Sequence, residues 1–372
     1  MSARTLLVYG ITGSIGTSTL KVVEAFPDRF SIIGCSAGSD RAALDAMTPR
    51  LPALRRSVCS TDAKELLTLL DLSPDLVVMA LGGKSGWKIT LEALRRGIPV
   101  ALANKESLVI AGYFLGRATT GDRTKVIPID SEHAALMQLL RAVRPDHIRR
   151  VHLTASGGAL LELSKKAMLD ADAATALKHP VWSMGKKVTV DSATMVNKGL
   201  ELMEAYWLFP VEPEQLGVIV HPEVAVHATV DLIDGTSLWQ AAVSDMAIPI
   251  AAALAYPDLL PMLDRFPRFA YPHDRALAFR APDLDKYPLL ALAMDLLRRK
   301  DYAGMVAYAI ADETAVEAFL AGRIAVRGIH RTVERSVERF RGRSAPLDIS
   351  ALEDFIAEIE TDAIRTVRET TP

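Results

Sequence analysis

Asn197, Glu201 and Glu204 are spaced i, i+4 and i+7, and Lys198 stands three residues before Glu201. On a helix that spacing gathers an amide, an ammonium and two carboxylates on one face. Met195, Leu202 and Tyr206 line the other side and Gly199 sits among them. A glycine costs a helix interior about 1 kcal/mol relative to alanine, so Gly199 implies a closely packed neighbour. Next to a helix start, which favours anions, such a face can hold a phosphate and a metal ion together. The plainer alternative is a solvated face carrying one i, i+3 ion pair.

Other chemistry-bearing groups fall at strand ends. Val126-Ile-Pro-Ile-Asp130-Ser-Glu132-His133 is an apolar strand delivering Asp130 and Glu132 at its tip. Two apart on extended chain, the carboxylates point the same way and repel unless a proton or cation lies between them. All-oxygen donors suit Mg²⁺ or Mn²⁺, whereas zinc calls for His or Cys. Capping of a helix Ala134 to Val143 explains the pair equally well. Asn104-Lys105-Glu106-Ser107 follows the strand Pro99 to Ala103, at the end that faces the ligand crevice in a parallel sheet. For Glu106-Ser107 a capped helix start is the alternative. Ser156-Gly157-Gly158, ending a strand from Val151, offers a hydroxyl and free backbone N–H groups to an anion.

The elements that position these groups begin with Arg4 to Tyr9, then Gly10-Ile-Thr-Gly-Ser-Ile-Gly16, then a helix Thr17 to Ala25. Strand, glycine turn, helix is the context of a dinucleotide site, with the pyrophosphate at the helix start. The second strand, Phe30 to Gly34, leads to Gly38, Ser39 and Arg41, which suit a ribose 2′-phosphate and hence NADP; Asp40 is the residue type that NAD sites use. Strand Leu76 to Leu81 and helix Gly86 to Arg96 continue the rhythm. From His179 the chain reads as a Trp-Ser-Met-Gly loop, a short strand Lys187 to Val190, and a helix capped by Asp191 or Ser192 and running through Trp207. Ser164 to Leu177 reads as one helix. Leu216 to Gln240 alternates as sheet strands with a turn at Asp234-Gly235, His221 and His227 being structural. Prolines from Tyr256 to Pro288 suggest a linker. Leu289 to Arg299, Tyr302 to Leu320, Arg327 to Phe340 and Ser350 to Val367 have helical spacing, and the basic run Arg331 to Arg343 reads as a solvated surface.

The expected fold is α/β: a Rossmann-like parallel sheet over 1–145, a central α+β catalytic domain with a flexible lid over 146–255, a linker over 256–288 and a helical bundle over 289–372. With 43 Lys and Arg against 45 Asp and Glu, no global field attracts nucleic acid or an anionic membrane. The apolar run Met246 to Met262 is broken by Pro249, Pro257 and Pro261, so it does not span a bilayer. Cys35 and Cys59 lack metal or redox spacing and suit a reducing cytosol, so a cytoplasmic location is expected.

The glycine turn, Ala101-Leu-Ala-Asn-Lys-Glu-Ser107, Pro128-Ile-Asp-Ser-Glu-His133, Leu153-Thr-Ala-Ser-Gly-Gly158, the stretch His179 to Ala205 and Ala281-Pro-Asp together resemble one family, 1-deoxy-D-xylulose 5-phosphate reductoisomerase. The resemblance implies that Asp130, Glu132 and Glu201 bind Mg²⁺ or Mn²⁺. Ser156, Ser192, Asn197 and Lys198 would bind the substrate phosphate, with His179 closing over it. Lys105 and Ser131 would contact the substrate near the reacting carbons, Lys105, Glu132 and Glu201 being the catalytic set. Trp182 and Met184 would form a lid. Thr12, Gly13, Ser14, Ile15, Gly38, Ser39, Asp40, Asn104, Glu106 and Gly185 would contact NADPH. The implied reaction shifts a carbon–carbon bond, by retro-aldol cleavage and recombination, and reduces the branched aldehyde to 2-C-methyl-D-erythritol 4-phosphate. A homodimer is implied as well. Departures from the family pattern are Ser39-Asp40 after the second strand, Val181 for Asn in the lid, Ala309-Ile-Ala-Asp-Glu313 for Asn-Ala-Ala-Asn-Glu, and the polar Met79-Ala-Leu-Gly-Gly-Lys-Ser-Gly-Trp87. They leave open a related NAD(P)-dependent reductoisomerase acting on a different phosphorylated sugar or ketol.

Overall fold

The computed structural model describes residues 3–118, 125–178, 181–182, 184–270 and 276–370. The chain forms two compact units: Met1–Arg141 with Trp207–Phe209 and Ala241–Tyr271, and Ala142–Tyr206 with Pro210–Gln240 and Pro272–Pro372.

The first unit is a six-stranded sheet of β1 (Arg4–Tyr9), β2 (Phe30–Ala37), β3 (Arg56–Cys59), β4 (Leu76–Met79), β5 (Val100–Leu102) and β6 (Val126–Pro128), in the order β3-β2-β1-β4-β5-β6. Every pairing in it is parallel. Leu6 to Tyr9 and Leu76 to Met79 are wholly buried, the continuous apolar run of strands covered on both faces. The order reverses between β1 and β4, which opens a ligand crevice at their carboxyl ends. Gly10, at φ +78°, makes the turn there, where a Cβ would stand 2.6 Å from the Ala80 carbonyl oxygen. The following helix starts at Ser14, three residues earlier than its spacing suggests.

The proline-rich stretch from Tyr256 to Pro288 and the helix before it divide between the two units, Ala241–Tyr271 falling in the first and the chain from Pro272 in the second. Helix Ala247–Ala255 places Ala247, Ile250, Ala251 and Leu254 in the same core as Leu6, Val8 and Leu20. The Arg4 guanidinium donates to the Leu254 carbonyl at 2.9 Å. Tyr256, Leu260, Met262 and Phe266 pack against that core as well, so the chain from Ala241 to Tyr271 belongs to the first unit. Its apolar content outweighs its prolines, because burial is worth about 25 cal/mol per Å².

The second unit contains β7 (Ile148–Ala155), β8 (Leu216–Val220), β9 (Val226–Leu232) and β10 (Ser237–Ala241), ordered β10-β9-β7-β8. Its turn at Asp234-Gly235 is as read: Gly235 has φ +88° and the Asp234 carboxylate accepts from the Thr236 N–H and hydroxyl. His221 is structural too, its Nε2 accepting from the Ala225 N–H at 3.0 Å and its ring stacked on Phe279. The single helix expected from Ser164 to Leu177 is two short ones, Lys165–Leu169 and Ala173–Ala176, each begun by its own side-chain cap, Ser164 and Asp172.

Four helices, Pro288–Arg298, Tyr302–Leu320, Val326–Phe340 and Ile349–Thr370, close the chain where the periodicity puts them. Tyr302–Leu320 is buried on nearly every side, as a central helix must be. The basic run is more than a solvated face: Arg335, Arg339 and Arg343 pair with Glu369, Asp362 and Glu358 of the last helix.

His330 lies buried in this region, and burial, with the Lys165 ammonium, pushes its imidazole pKa down to about 4. The unfolded chain therefore binds the proton more readily, and folding stability is complete above about pH 6.5 and falls as pH drops towards 4. The loss amounts to at most about 3 kcal/mol. Urea titrations at neutral and mildly acid pH should show that slope in the native protein and a shallower one in His330→Phe.

Candidate functional site

In the first unit, the turn after β1 leaves Gly13 and Ser14 exposed, and Gly13 begins the helix without a side-chain cap. The first backbone N–H groups are thus open to a pyrophosphate. Thr12 and Ile15 flank them, half-buried. Gly38 and Ser39 follow β2, and Asp40 caps helix Arg41–Met47, its carboxylate accepting from the Ala43 N–H at 2.9 Å. Asp40 therefore has a structural use that its place in the sequence did not disclose.

At the end of β5, Asn104 is buried and donates to the Gly83 carbonyl at 2.6 Å and to Glu106 at 3.1 Å. The Ser107 N–H donates back to Asn104. Asn104 and Glu106 are thus joined with the loop after β4 in one network.

Lys105 points to the neighbouring strand end, its Nζ 2.5 Å from Asp130 Oδ2, both side chains about nine-tenths buried. Burial alone would raise the Asp130 pKa, but the Lys105 ammonium and the nearby His133 ring hold it well below the usual carboxylate range. Asp130 occupies the N-cap position of helix Ser131–Leu140 yet makes no side-chain cap bond. The capping alternative therefore fails for it. Glu132 lies in the first helical turn, not on extended chain, and accepts from the Ser131 hydroxyl at 2.5 Å. His133, in the quoted motif but given no role, is fully buried with Nδ1 3.5 Å from Asp130. Its i+3 spacing from Asp130 on a helix was the available signal.

In the second unit, β7 ends at Ala155, Ser156 follows it, and Gly157 and Gly158 have φ of +86° and +68°. The Gly158 N–H donates to the Ser156 hydroxyl at 3.1 Å, so it is not the free donor expected. A Cβ on Gly158 would meet the Ser192 carbonyl oxygen at 2.5 Å, which brings this turn against the helix that carries Ser192.

That helix, Lys186–Thr194, replaces the expected strand, and Asp191 and Ser192 lie inside it instead of capping the next. The Lys187 ammonium bridges Asp191 at 2.6 Å and Asp312 at 3.1 Å, which the alternating Lys-Val-Thr-Val pattern concealed. Met195, left-handed at φ 62°, breaks the chain, and helix Val196–Leu208 follows. On it, Asn197 and Lys198 both donate to the Glu201 carboxylate. Lys198, Glu201 and Glu204 are 3%, 1% and 0% exposed, which rules out a solvated face.

Gly199 has the neighbour its position implied: a Cβ would stand 2.7 Å from that of Ala293 and 2.9 Å from the Tyr308 hydroxyl. Gly199→Val should cost about 1–3 kcal/mol by overpacking, read as a lowered thermal midpoint. Of the lid residues, the Trp182 ring lies 6.4 Å from that of His227, and Met184 is half-buried. Gly185 begins helix Lys186–Thr194, and among the described residues nothing beyond its chain neighbours lies within 4 Å of its missing Cβ. His179 lies outside the described residues.

Comparison with known proteins points to one family. The family model of 1-deoxy-D-xylulose 5-phosphate reductoisomerase matches residues 6–73 and 56–112. The models of its C-terminal domains match 126–209 and 242–365. The reductoisomerase of Geobacter metallireducens is 38% identical over 378 residues, covering 95% of each chain. That of Chlorobium chlorochromatii is 39% identical over 359 residues, covering 90% of this chain and 92% of its own. A crystal structure of DOX-P reductoisomerase in complex with NADPH, fosmidomycin and magnesium superposes with a TM-score of 0.89 at 32% identity over 98% of each chain. The Zymomonas mobilis enzyme in complex with NADPH gives 0.85 at 32% identity, over 98% of this chain and 99% of its own. The chain belongs to the 1-deoxy-D-xylulose 5-phosphate reductoisomerase family.

Proposed function

We propose a residue-level account of the reaction of this family, the NADPH- and metal-dependent conversion of 1-deoxy-D-xylulose 5-phosphate to 2-C-methyl-D-erythritol 4-phosphate. The buried Glu201 carboxylate, flanked by Asn197 and Lys198 on its own helix, carries the reading. Asp130, Glu132 and Glu201 hold one divalent ion, and carboxylate oxygens alone fit Mg²⁺ or Mn²⁺. When bound, the ion supplies Lewis-acid polarisation of the substrate's carbonyl and hydroxyl oxygens.

The other roles belong to the chain itself. Lys105 and Ser131, beside Asp130 and Glu132, fix the substrate near its reacting carbons. Ser156, Ser192, Asn197 and Lys198, with His179, bind the phosphate, and Trp182 and Met184 exclude water. Binding energy from the remote phosphate is thereby available to orient the reacting end. Thr12 to Ile15 take the NADPH pyrophosphate at the uncapped helix start, and the missing side chains at Gly10 and Gly16 leave room for the close turn. Gly38 and Ser39 take the adenosine ribose, and Asn104, Glu106 and Gly185 complete the contacts. Asp40 is engaged as a helix cap, which supports NADPH over NADH.

Residues 1–145 serve chiefly the cofactor and 146–240 the substrate, the segment from Ala241 to Tyr271 belonging to the first unit. The chain works as a homodimer, a reading supported by the exposed Trp239 of the edge strand β10, and in the cytoplasm, a reading supported by its two free cysteines, Cys35 and Cys59. No helix among the described residues is long and apolar enough to cross a membrane.

The deciding assay follows NADPH oxidation with 1-deoxy-D-xylulose 5-phosphate and Mg²⁺ or Mn²⁺. Turnover that stops on chelation supports the account, and folded protein that turns over another ketol phosphate but not this one overturns it.

A further inference from the structure

Lys286 has no part in the account so far, yet it is 92% buried, being 8% exposed. Its ammonium donates to the Leu160 carbonyl at 3.0 Å and the Leu161 carbonyl at 2.6 Å, both in the turn that follows Ser156-Gly157-Gly158. Its own N–H donates to Asp283 at 3.0 Å, and its Nζ lies 5.2 Å from the centre of the buried Tyr287 ring. Burial pushes the Lys286 pKa down, and the carboxylates of Asp283 and Glu162 oppose that shift. Desolvating an ammonium is costly, so an apolar side chain of similar length would fill the space more cheaply. What an apolar chain cannot do is hold two consecutive carbonyls.

Those carbonyls belong to residues that shape the turn. The Leu161 N–H donates to the Gly158 carbonyl at 3.4 Å. The Leu161 side chain occupies the space beside Gly157, where a Cβ would meet it at 2.6 Å. Gly157 and Gly158 are both left-handed, and Gly158 lies against the backbone of Ser192 and Ala193. A shift at Leu160–Leu161 therefore moves the Ser156 hydroxyl and the backbone beside Ser192 together.

We propose that Lys286 is a positioning residue for phosphate recognition, clamping the Leu160–Leu161 carbonyls so that Ser156 and Gly158 keep the conformation that receives the substrate's phosphate. This role rests on the assignment of Ser156 to that phosphate.

The test uses full-length enzyme and steady-state kinetics. Lys286→Met should raise KM for 1-deoxy-D-xylulose 5-phosphate about tenfold, change kcat by less than about threefold and leave KM for NADPH as it was. Lys286→Arg should recover part of the loss. Lys286→Gln, which keeps a donor without the charge, should fall between and serves if the Met variant does not fold. In a Ser156→Ala background, Lys286→Met should add little, since both act on one contact. A raised KM in Ser156→Ala with an unchanged KM in the Lys286 variants overturns the clamp alone. Independent, multiplying effects overturn it too, as does an equal loss on substrate and NADPH. An unchanged KM in Ser156→Ala removes the phosphate assignment itself, and the clamp with it.

Discussion

Glu201→Gln should lower kcat by about 10³-fold or more while leaving NADPH affinity within about twofold. The substitution keeps the shape of a side chain that is 1% exposed, so the loss reads as lost charge more than lost packing. Both carboxylate oxygens accept hydrogen bonds from the same helix, from Asn197 and from Lys198. An amide cannot accept from both with its two ends, and it cannot balance a divalent ion. The proposed nicotinamide-nucleotide contacts at Thr12 to Ile15 belong to the first unit and Glu201 to the second, so nucleotide binding should persist. Turnover at saturating Mg²⁺ and a fluorescence titration with NADPH measure the two halves. An active variant removes Glu201 from the metal site.

Lys105→Met should cut kcat/KM by about 10²-fold or more without weakening metal binding. The Lys105 ammonium now neutralises Asp130 across 2.5 Å in a buried setting. Removing it leaves the carboxylate uncompensated, which a divalent cation relieves, so Mn²⁺ affinity should hold or rise. A merely structural lysine would behave differently, its loss loosening the metal and lowering the thermal midpoint together. Turnover assays beside Mn²⁺ titration of the folded variant separate the two, and near-native turnover would contradict the substrate role.

The first sheet was legible because its information is local. Glycine spacing after β1 and the unbroken apolar runs of β1 and β4 are what a parallel sheet buried on both faces requires. The cluster Asn197, Lys198 and Glu201 was legible for the same reason, since helical spacing alone brings the three together. The pairing of Lys105 with Asp130 was not, because only the sheet order sets β5 beside β6. Helix Lys186–Thr194 was misread as a strand because Val188, Thr189 and Val190 are β-branched, a preference that packing overrides when the helix buries Thr189, Val190, Ala193 and Thr194. The break at Met195 carried no signal, since a left-handed methionine is uncommon and its sequence gives no warning.

The central claim is that Asp130 and Glu132, neighbours at one helix start, share a single divalent ion with Glu201, distant along the chain. A crystal structure of the protein grown with Mn²⁺ and NADPH, with anomalous scattering to locate the metal, tests it most directly. One manganese peak bonded to oxygens of Asp130, Glu132 and Glu201 is the predicted result. Manganese held by Asp130 and Glu132 without Glu201, or bound elsewhere while the enzyme is active, would contradict it.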